Sequence, residues 1–336
     1  MRNFIVSDLH GNGFVYDSIL NYLQNELEYG NDDITLHING DLIDRGIDSG
    51  SMLVDIYDRI TNHIGVNINY LGGNHELMMY KAYMATRDEE LNKMFESYFS
   101  RSCHTWINRN SGYITANYLK KHCSRDEVVQ LCNFVGNLNV YHKFIEQLND
   151  KLILLVHACC VYPILDDKII KIKDTSPEVD IAVWTRKDDF LSFGRVGNDK
   201  YFTIVGHTIV ENEKGFKFDK KDNTLYIDGG AAAFGYLNTN YLYSHKNCFQ
   251  QLEDVKIPFE SYEEDFKKKL DAVSHIPLVE IEDNRLKILI FNHKNEIMLK
   301  GIIKIHTDNC LKEDCPLTNF TRNEGNFATQ KQCLLN

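Results

Sequence analysis

The chain has 336 residues, 43% of them hydrophobic, and a formal net charge of −11 at pH 7. These totals predict a globular protein with a sizeable core, and the negative charge argues against nucleic acid or an anionic membrane as a partner. No apolar run approaches the ~18 residues of a transmembrane helix, and the N-terminus has no signal-peptide pattern. Nine scattered cysteines without a Cys-x-x-Cys pair fit a reducing compartment. We therefore expect a cytoplasmic or otherwise soluble intracellular protein, with secretion by a route without an N-terminal signal left open.

Strand-like apolar runs alternate with helical periodicity along the first part of the chain. Strands are predicted at residues 4–6, 34–38 and 66–71, and helices at 14–27, 52–64 and from about 76. Because strands that alternate with helices form parallel sheets, the fold class is α/β. Residues 87–148 have mainly helical patterns and are expected to form a cap or flank. Further strands are predicted at 152–156, 201–205, 224–227 and 241–243.

The character of the sequence changes after residue 250. A charged helical stretch is followed by three alternating runs, which predict a small antiparallel meander at residues 278–282, 285–291 and 296–305. The polar, aperiodic end of the chain is expected to be a flexible tail. These changes predict a catalytic domain at 1–250, a helix with a meander at 251–306 and a tail at 307–336.

Three polar motifs each follow one of the first three predicted strands. The central one places two carboxylates and an arginine between glycines, and the flanking motifs stand 33 residues before it and 33 residues after it, counted from Asp8 to Asp41 to Asn74. Because the carboxyl ends of parallel strands meet at one edge of a sheet, these motifs are expected to converge. They read Asp8-Leu9-His10-Gly11, Gly40-Asp41-Leu42-Ile43-Asp44-Arg45-Gly46 and Gly73-Asn74-His75-Glu76.

Together with two later strand ends, these motifs supply carboxylate, amide and imidazole ligands, the mixture that binds divalent cations. A single histidine among the 13 in the chain would usually be a surface or hydrogen-bonded residue. The joint pattern instead predicts two divalent metal ions. One ion is assigned to Asp8 and His10, the other to Asn74, His157 and His207, and Asp41 bridges both.

The remaining polar residues suit phosphoryl transfer. A guanidinium pairs well with phosphate oxygens, so Arg45 and Arg186 are predicted to bind substrate phosphate, although Arg186 could be an ordinary surface arginine. His75 is predicted to donate a proton to the leaving oxygen. Asp44 is predicted to orient His75 and keep it charged, and its alternative role is a helix cap.

These motifs, with His157-Ala158 and Gly206-His207-Thr208, resemble the signature of the phosphoprotein phosphatase family of calcineurin-like metallophosphoesterases. The sequence is most similar to the bacterial and phage-type serine/threonine phosphatases, over about residues 1–245. The resemblance implies two central β-sheets flanked by helices, to which the meander would be a small C-terminal β-rich appendage. It also implies hydrolysis of phosphoserine and phosphothreonine in proteins or peptides, with Mn²⁺ as the expected metal in vitro and Fe²⁺ or Zn²⁺ as alternatives.

Two other functions remain open at this point. A dinucleoside polyphosphate hydrolase would share much of the constellation, but Asp44 before Arg45 and Glu76 after His75 favour the protein phosphatase. An inactive scaffold could bind phosphorylated partners through the same cleft, although the complete ligand set argues against it. The sequence leaves open the physiological substrate, activity on phosphotyrosine, the native metal and the oligomeric state.

Overall fold

The computed structural model describes residues 2–29, 33–86, 88–148, 151–159, 169–186, 201–210, 215–219, 223–232, 275–282, 285–291 and 297–304. The helices are α1 (Gly13–Tyr29), α2 (Ser49–Asn62), α3 (Asn74–Met84), α4 (Arg101–His104), α5 (Tyr113–His122), α6 (Arg125–Gly136) and α7 (Pro177–Trp184). The strands are β1 (Arg2–Val6), β2 (Ile34–Asn39), β3 (Asn67–Leu71), β4 (Tyr141–Leu148), β5 (Lys151–Val156), β6 (Tyr201–Val205), β7 (Lys217–Asp219), β8 (Thr224–Tyr226), β9 (Ile276–Glu282), β10 (Arg285–Phe291) and β11 (Ile297–Lys304). No helix in these ranges is long and apolar enough to cross a bilayer.

The strands form two mixed sheets, which confirms the predicted α/β class. The first sheet has the order β11-β10-β9-β1-β2-β3, and the second has the order β4-β5-β6-β8-β7. Strands β1, β2 and β3 are parallel to one another, as are β5, β6 and β8. Antiparallel strands complete both sheets: β9 beside β1, and β4 and β7 at the edges of the second sheet.

Both faces of the first sheet are covered, so most residues of its central strands β1 and β2 are buried on either side. In β1 the side chains of Phe4 and Val6 pack into the larger hydrophobic cluster, which also contains residues of α1 and α2. Ile5 points to the opposite face, where it joins a second cluster. That cluster draws residues from both sheets, so it fills the space between them: Ile153, Leu155, Phe202 and Ile204 come from the second sheet, and Val279, Ile288 and Ile290 from the first.

The predicted meander forms, and it extends the first sheet. Strand β9 pairs antiparallel with β1, and β10 and β11 continue the sheet outward. A buried ion pair supports this junction: Glu280 on β9 lies 2.6 Å from Arg2 on β1 and 3.1 Å from Lys287 on β10. The domain boundaries at residues 250 and 306 lie outside the described residues and stay a prediction, as do the strand at 241–243, the charged helix and the tail.

One element differs from its sequence-based expectation. The predicted helical region ends in a strand, β4, which pairs antiparallel with β5. Phe144 and Leu148 are both buried, and a separation of four residues fits one face of a helix as well as one face of a strand. Pairing with β5, a tertiary contact, decides between the two.

Candidate metal centre

Five strand ends from the two sheets converge on one site. Strands β1 and β2 are joined beyond their last pairs by a hydrogen bond from the Asp8 N–H to the Gly40 carbonyl (3.2 Å), and β5 and β6 by one from Gly206 N–H to the His157 carbonyl (2.8 Å). The two sheets meet where the His207 N–H donates to the Asp8 carboxylate at 3.0–3.1 Å, across 199 residues of sequence. All six predicted metal ligands are buried: Asp8, His10, Asp41, Asn74, His157 and His207.

The backbone is strained at this site. Among the described residues, left-handed φ values at non-glycine positions concentrate in the strand-end turns, and such conformations persist only where the surrounding structure enforces them. Glycines allow the tight contacts between turns: a Cβ on Gly206 would stand 2.1 Å from the Asp8 carboxylate. The strained site residues are Asp8 (φ 55°), His10 (45°), Asp41 (52°), Asp44 (71°), Arg45 (70°) and His207 (63°).

Asp41 occupies the middle of the site, as its predicted bridging role requires. Its Oδ2 lies 3.4 Å from His10 Nε2, and its Oδ1 lies 3.4 Å from His157 Nε2. The two oxygens therefore face different histidines. Two groups of potential ligand atoms share this carboxylate, with all atoms of each group within 4.8 Å of one another: His10, Asp41 and His75, and Asp41, His157 and His207.

Each of the three predicted histidine ligands uses one ring nitrogen to contact a backbone carbonyl. Such a contact fixes the orientation of the ring and leaves the other nitrogen for a metal, an arrangement typical of metal-binding histidines. Carboxylate, amide and imidazole donors in this arrangement fit borderline divalent ions. The contacts are His10 Nδ1 with Ile43 O (3.0 Å), His157 Nδ1 with Asn39 O (2.8 Å) and His207 Nε2 with Trp184 O (3.1 Å).

The electrostatics of the site favour positive charge. Burial disfavours a charged imidazole, but the carboxylates of Asp41 and Asp8 outweigh it and raise the pKa of His157 to about 10. Burial would raise the pKa of Asp41, yet the positive charge of His157 and then of His75 lowers it well below its usual range. By contrast, burial lowers the pKa of His10 and, with the charge of His157, lowers that of His207 to about 3. The site thus attracts a cation while most of its imidazoles stay neutral, as ligands must.

Glu76 organises the central turn, a role that the sequence analysis missed. Its buried carboxylate accepts hydrogen bonds from the N–H groups of Asp41 (2.8 Å) and Leu42 (3.0 Å) and from the Tyr70 hydroxyl (2.7 Å). It also accepts one from Gly73 N–H (2.8 Å), immediately before α3. An acid at the third position of a helix is the sequence signal for such a contact. Glu76 therefore joins the end of β3 to the turn that carries Asp41.

Asp44 contacts His75 in the buried interior of the site. His75 Nδ1 lies 2.7 Å from Asp44 Oδ2, and the same carboxylate accepts hydrogen bonds from Thr115 Oγ1 (2.6 Å) and Trp106 Nε1 (3.1 Å). The alternative role as a helix cap does not apply, because the residue that precedes α2 is Asp48. Three donors fix the carboxylate, and two of them come from the helical region after α3.

The pKa values of both members of this pair are shifted by burial. Burial lowers the pKa of His75 to about 4, and the role of Asp44 in orienting His75 and keeping it charged stays a prediction. Burial also raises the pKa of Asp44 to about 7, despite its hydrogen bonds with Thr115 and Trp106. Both shifts have the same cause, since the pair has no access to water. Burial thus shifts each pKa in the direction that favours the neutral form of the side chain.

The two predicted phosphate-binding arginines differ in position. The guanidinium of Arg45 lies 3.1 Å from His75 Nε2, on the side of the ring that faces away from Asp44. Arg186 is exposed beyond the end of α7, and its charge contributes to the lowered pKa of His207. Arg45 therefore contacts a site residue directly, and the phosphate-binding roles of both arginines stay predictions.

The chain was compared with known proteins. A profile described as calcineurin-like phosphoesterase matches residues 1–235, whereas no curated protein matches significantly. Similar solved structures include a cold-active protein-tyrosine phosphatase of a psychrophilic Shewanella species (TM-score 0.40, 15% identity, 88% of this chain and 79% of that one). Others are a Saccharomyces cerevisiae protein serine/threonine phosphatase (TM-score 0.38, 17% identity, 67% and 66%) and a Sphaerobacter thermophilus metallophosphoesterase (TM-score 0.31, 17% identity, 62% and 60%).

The profile match confirms the calcineurin-like part of the resemblance, while the phosphoprotein phosphatase branch and the roles of individual site residues stay predictions. The match covers 235 of 336 residues and contains all the strand-end motifs. The chain belongs to the calcineurin-like phosphoesterase family.

Proposed function

We propose that this chain is a protein serine/threonine phosphatase that hydrolyses phosphomonoesters with water at a dinuclear metal centre. One observation carries the proposal: the Asp44–His75 pair adjoins both the predicted bridging ligand and a guanidinium. His75 Nε2 lies 3.9 Å from Asp41 Oδ2 and 3.1 Å from the Arg45 guanidinium. A proton donor, a phosphate-binding group and a metal ligand thus share one wall of the site.

The metal ions in this proposal are two divalent cations, with Mn²⁺ expected in vitro and Fe²⁺ or Zn²⁺ as alternatives. When bound, they supply an acidified water and neutralise charge on the phosphoryl group. The chain would hold one ion through Asp8 and His10, the other through Asn74, His157 and His207, and both through Asp41.

The protein groups then bind and orient the substrate. Arg45 and Arg186 offer paired N–H donors to the phosphoryl oxygens. Once Arg45 turns to phosphate, His75 Nε2 is left facing the leaving oxygen. Water oxygen forms the new bond to phosphorus, the ester P–O bond breaks, and the Asp44–His75 pair protonates the leaving oxygen. The products are inorganic phosphate and a free serine or threonine hydroxyl, with the proton lost by the attacking water going to solvent.

We also infer that phosphorylated proteins or peptides are the substrates and that the chain works in the cytoplasm. The first inference rests on Asp44 before Arg45 and Glu76 after His75, which favour a protein phosphatase over a dinucleoside polyphosphate hydrolase. The second is supported by the composition, since the nine cysteines include no Cys-x-x-Cys pair and fit a reducing compartment.

Phosphate release tests the proposal directly. With added Mn²⁺, the protein should release phosphate from phosphoserine and phosphothreonine peptides faster than it cleaves diadenosine tetraphosphate, and Asp41→Asn should abolish both reactions. Preference for the dinucleotide would identify a polyphosphate hydrolase instead. Binding of phosphopeptide without turnover in Mn²⁺, Fe²⁺ or Zn²⁺ would identify a scaffold.

A further inference from the structure

The end of β2 in the first sheet is hydrogen-bonded to the end of β5 in the second. Asn39 is the last residue of β2, and Val156 is the last residue of β5. The side chain of Asn39 donates a hydrogen bond from Nδ2 to the Val156 carbonyl at 3.0 Å. The backbone carbonyl of Asn39 accepts one from His157 Nδ1 at 2.8 Å. Asn39 thus contacts two consecutive residues across the sheets, and the second of them is a predicted metal ligand.

The contact with Asn39 decides which nitrogen of His157 is available to a metal. A carbonyl oxygen only accepts hydrogen bonds, so Nδ1 must carry a proton in this contact. In the neutral ring, Nε2 then has a free lone pair. This nitrogen lies 3.2 Å from Asn74 Oδ1 and 3.4 Å from Asp41 Oδ1, two other predicted ligand atoms. The backbone at the end of β2 therefore favours the tautomer that a metal ligand needs.

The ring of His157 packs closely against this backbone. A Cβ on Gly40, the residue after Asn39, would stand 2.6 Å from His157 Nδ1. The Asn39 carbonyl also lies 3.0 Å from Ser7 Oγ, which in turn lies 2.5 Å from Asp8 Oδ2. Because the contacts are this close, a shift of the Asn39 carbonyl would displace the imidazole ring.

The side chain of Asn39 is unusual for the space between two sheets. It is fully buried, and its Oδ1 has no hydrogen-bond partner among the described residues. An apolar side chain of the same size would fill this space without an unpaired acceptor, so burial alone does not favour an amide here. What the amide adds is a directional bond to Val156. We propose that Asn39 is a positioning residue, whose bond between the sheets holds His157 Nε2 in place as a metal ligand.

The test is a calorimetric titration of chelator-treated protein with Mn²⁺. Asn39→Leu removes the amide but keeps a side chain of similar size. It should weaken one of the two Mn²⁺ sites by about 10-fold, the lower end of the effect of residues that support metal ligands, and leave the other within about 2-fold. The matched control is Asn3→Leu, which removes a buried amide that contacts His37 near the other end of β1. This control should leave both dissociation constants unchanged.

This inference rests on the proposed dinuclear centre, and the same titration separates the two claims. Wild-type protein that binds no Mn²⁺ would overturn both. Two wild-type sites that Asn39→Leu leaves unchanged, with only the free energy of unfolding lowered, would overturn the positioning role alone. Equal weakening of both sites would also overturn it, since Asn39 would then support the central turn rather than His157. If Asn39→Leu fails to fold by circular dichroism, Asn39→Ala removes the same donor without a branched side chain and gives the same comparison.

Discussion

The two sheets contribute to the site in different ways. The first carries the predicted carboxylate and amide ligands and the Asp44–His75 pair on a stretch between residues 8 and 76, where Glu76 and Asp44 connect the turns through hydrogen bonds of 2.7–2.8 Å. The second supplies His157 and His207, each of which uses one ring nitrogen to contact a single backbone carbonyl. The part of the site on the first sheet, its first half, is thus held together by hydrogen bonds between neighbouring turns. The part on the second sheet, its second half, depends on how the two sheets pack together.

This difference predicts that the packing between the sheets is the most sensitive feature of the site. Removing residues 275–336 deletes β9, which pairs with β1, and removes Val279, Ile288 and Ile290 from the core between the sheets. Each buried side chain of this size contributes about 1.5–3 kcal/mol, so losing these and their neighbours approaches the whole net stability of a domain, about 5–15 kcal/mol. We expect no cooperative thermal unfolding transition by circular dichroism.

The control for this deletion is removal of residues 305–336 alone, which retains every described strand. It should keep an unfolding transition close to that of the full chain. A chain that lacks 275–336 but melts at the temperature of the full protein would show that the meander is dispensable, and that the two sheets hold each other without it.

The second prediction tests whether His75 contributes to turnover without contributing to metal binding. His75→Asn removes the proton donor next to Asp41 and leaves the predicted ligands in place. General acid catalysis contributes about 10²–10⁴-fold, so kcat on a phosphoserine peptide should fall by at least about 100-fold while two metal ions per chain remain by elemental analysis. Unchanged kcat would show that the leaving oxygen takes its proton elsewhere.

Asp41→Asn is the contrasting variant, because Asp41 is the predicted bridging ligand of both metal ions. Metal content and turnover should fall together, by more than the roughly 10–100-fold seen when supporting residues of metal sites are lost. Asp58→Asn, an exposed change on α2, should alter neither. If Asp41→Asn kept both ions, the bridging position would have to be assigned to another residue.

The predicted ligands of the first sheet belong to local sequence patterns, whereas the contacts that hold them in place do not. Asp8, Asp41 and Asn74 each follow an apolar strand within a few residues, so the strand and its ligand form one local pattern. The role of Glu76 was missed because its partners are backbone N–H groups, which no side-chain motif displays.

The fold shows the same difference between local patterns, which the sequence displays, and long-range contacts, which it does not. Helices and parallel strands of the first 80 residues follow their predicted positions within a few residues, because hydrophobic periodicity is a local property. The pairing of β9 with β1 joins residues about 280 positions apart, as in the Phe4 and Glu280 pair, and no local pattern indicates it. Strand β4 was predicted as helix for a related reason: its buried residues fit both periods, and only β5 selects between them.

The third prediction concerns pH and the contact between the sheets. His37 on β2 faces the second sheet, where its ring lies 4.7 Å from Phe144 and 5.0 Å from His142. Both of its nitrogens are hydrogen-bonded at 3.0 Å, to the side-chain amides of Asn3 and Asn69, one as donor and one as acceptor, which the neutral ring satisfies. Burial, and then the nearby His142, lowers the pKa of His37 to about 3. The folded state therefore resists protonation at the junction between the sheets.

The sign of the effect follows from linkage. An unfolded histidine has a pKa of about 6.5, so below that pH the unfolded chain binds a proton at His37 that the folded chain does not bind. The free energy of unfolding therefore falls as the pH drops toward 3. Between pH 6.5 and 5 the loss from His37 is about 1.6 kcal/mol, because the unfolded histidine is half protonated at pH 6.5 and the full slope of 1.36 kcal/mol per pH unit applies only well below it. In His37→Gln, urea unfolding at these two pH values should show a difference smaller by about this amount, whereas the exposed change His104→Gln should leave the difference as in wild type. An equal pH response in wild type and His37→Gln would mean that acid weakens the site histidines rather than the contact between the sheets.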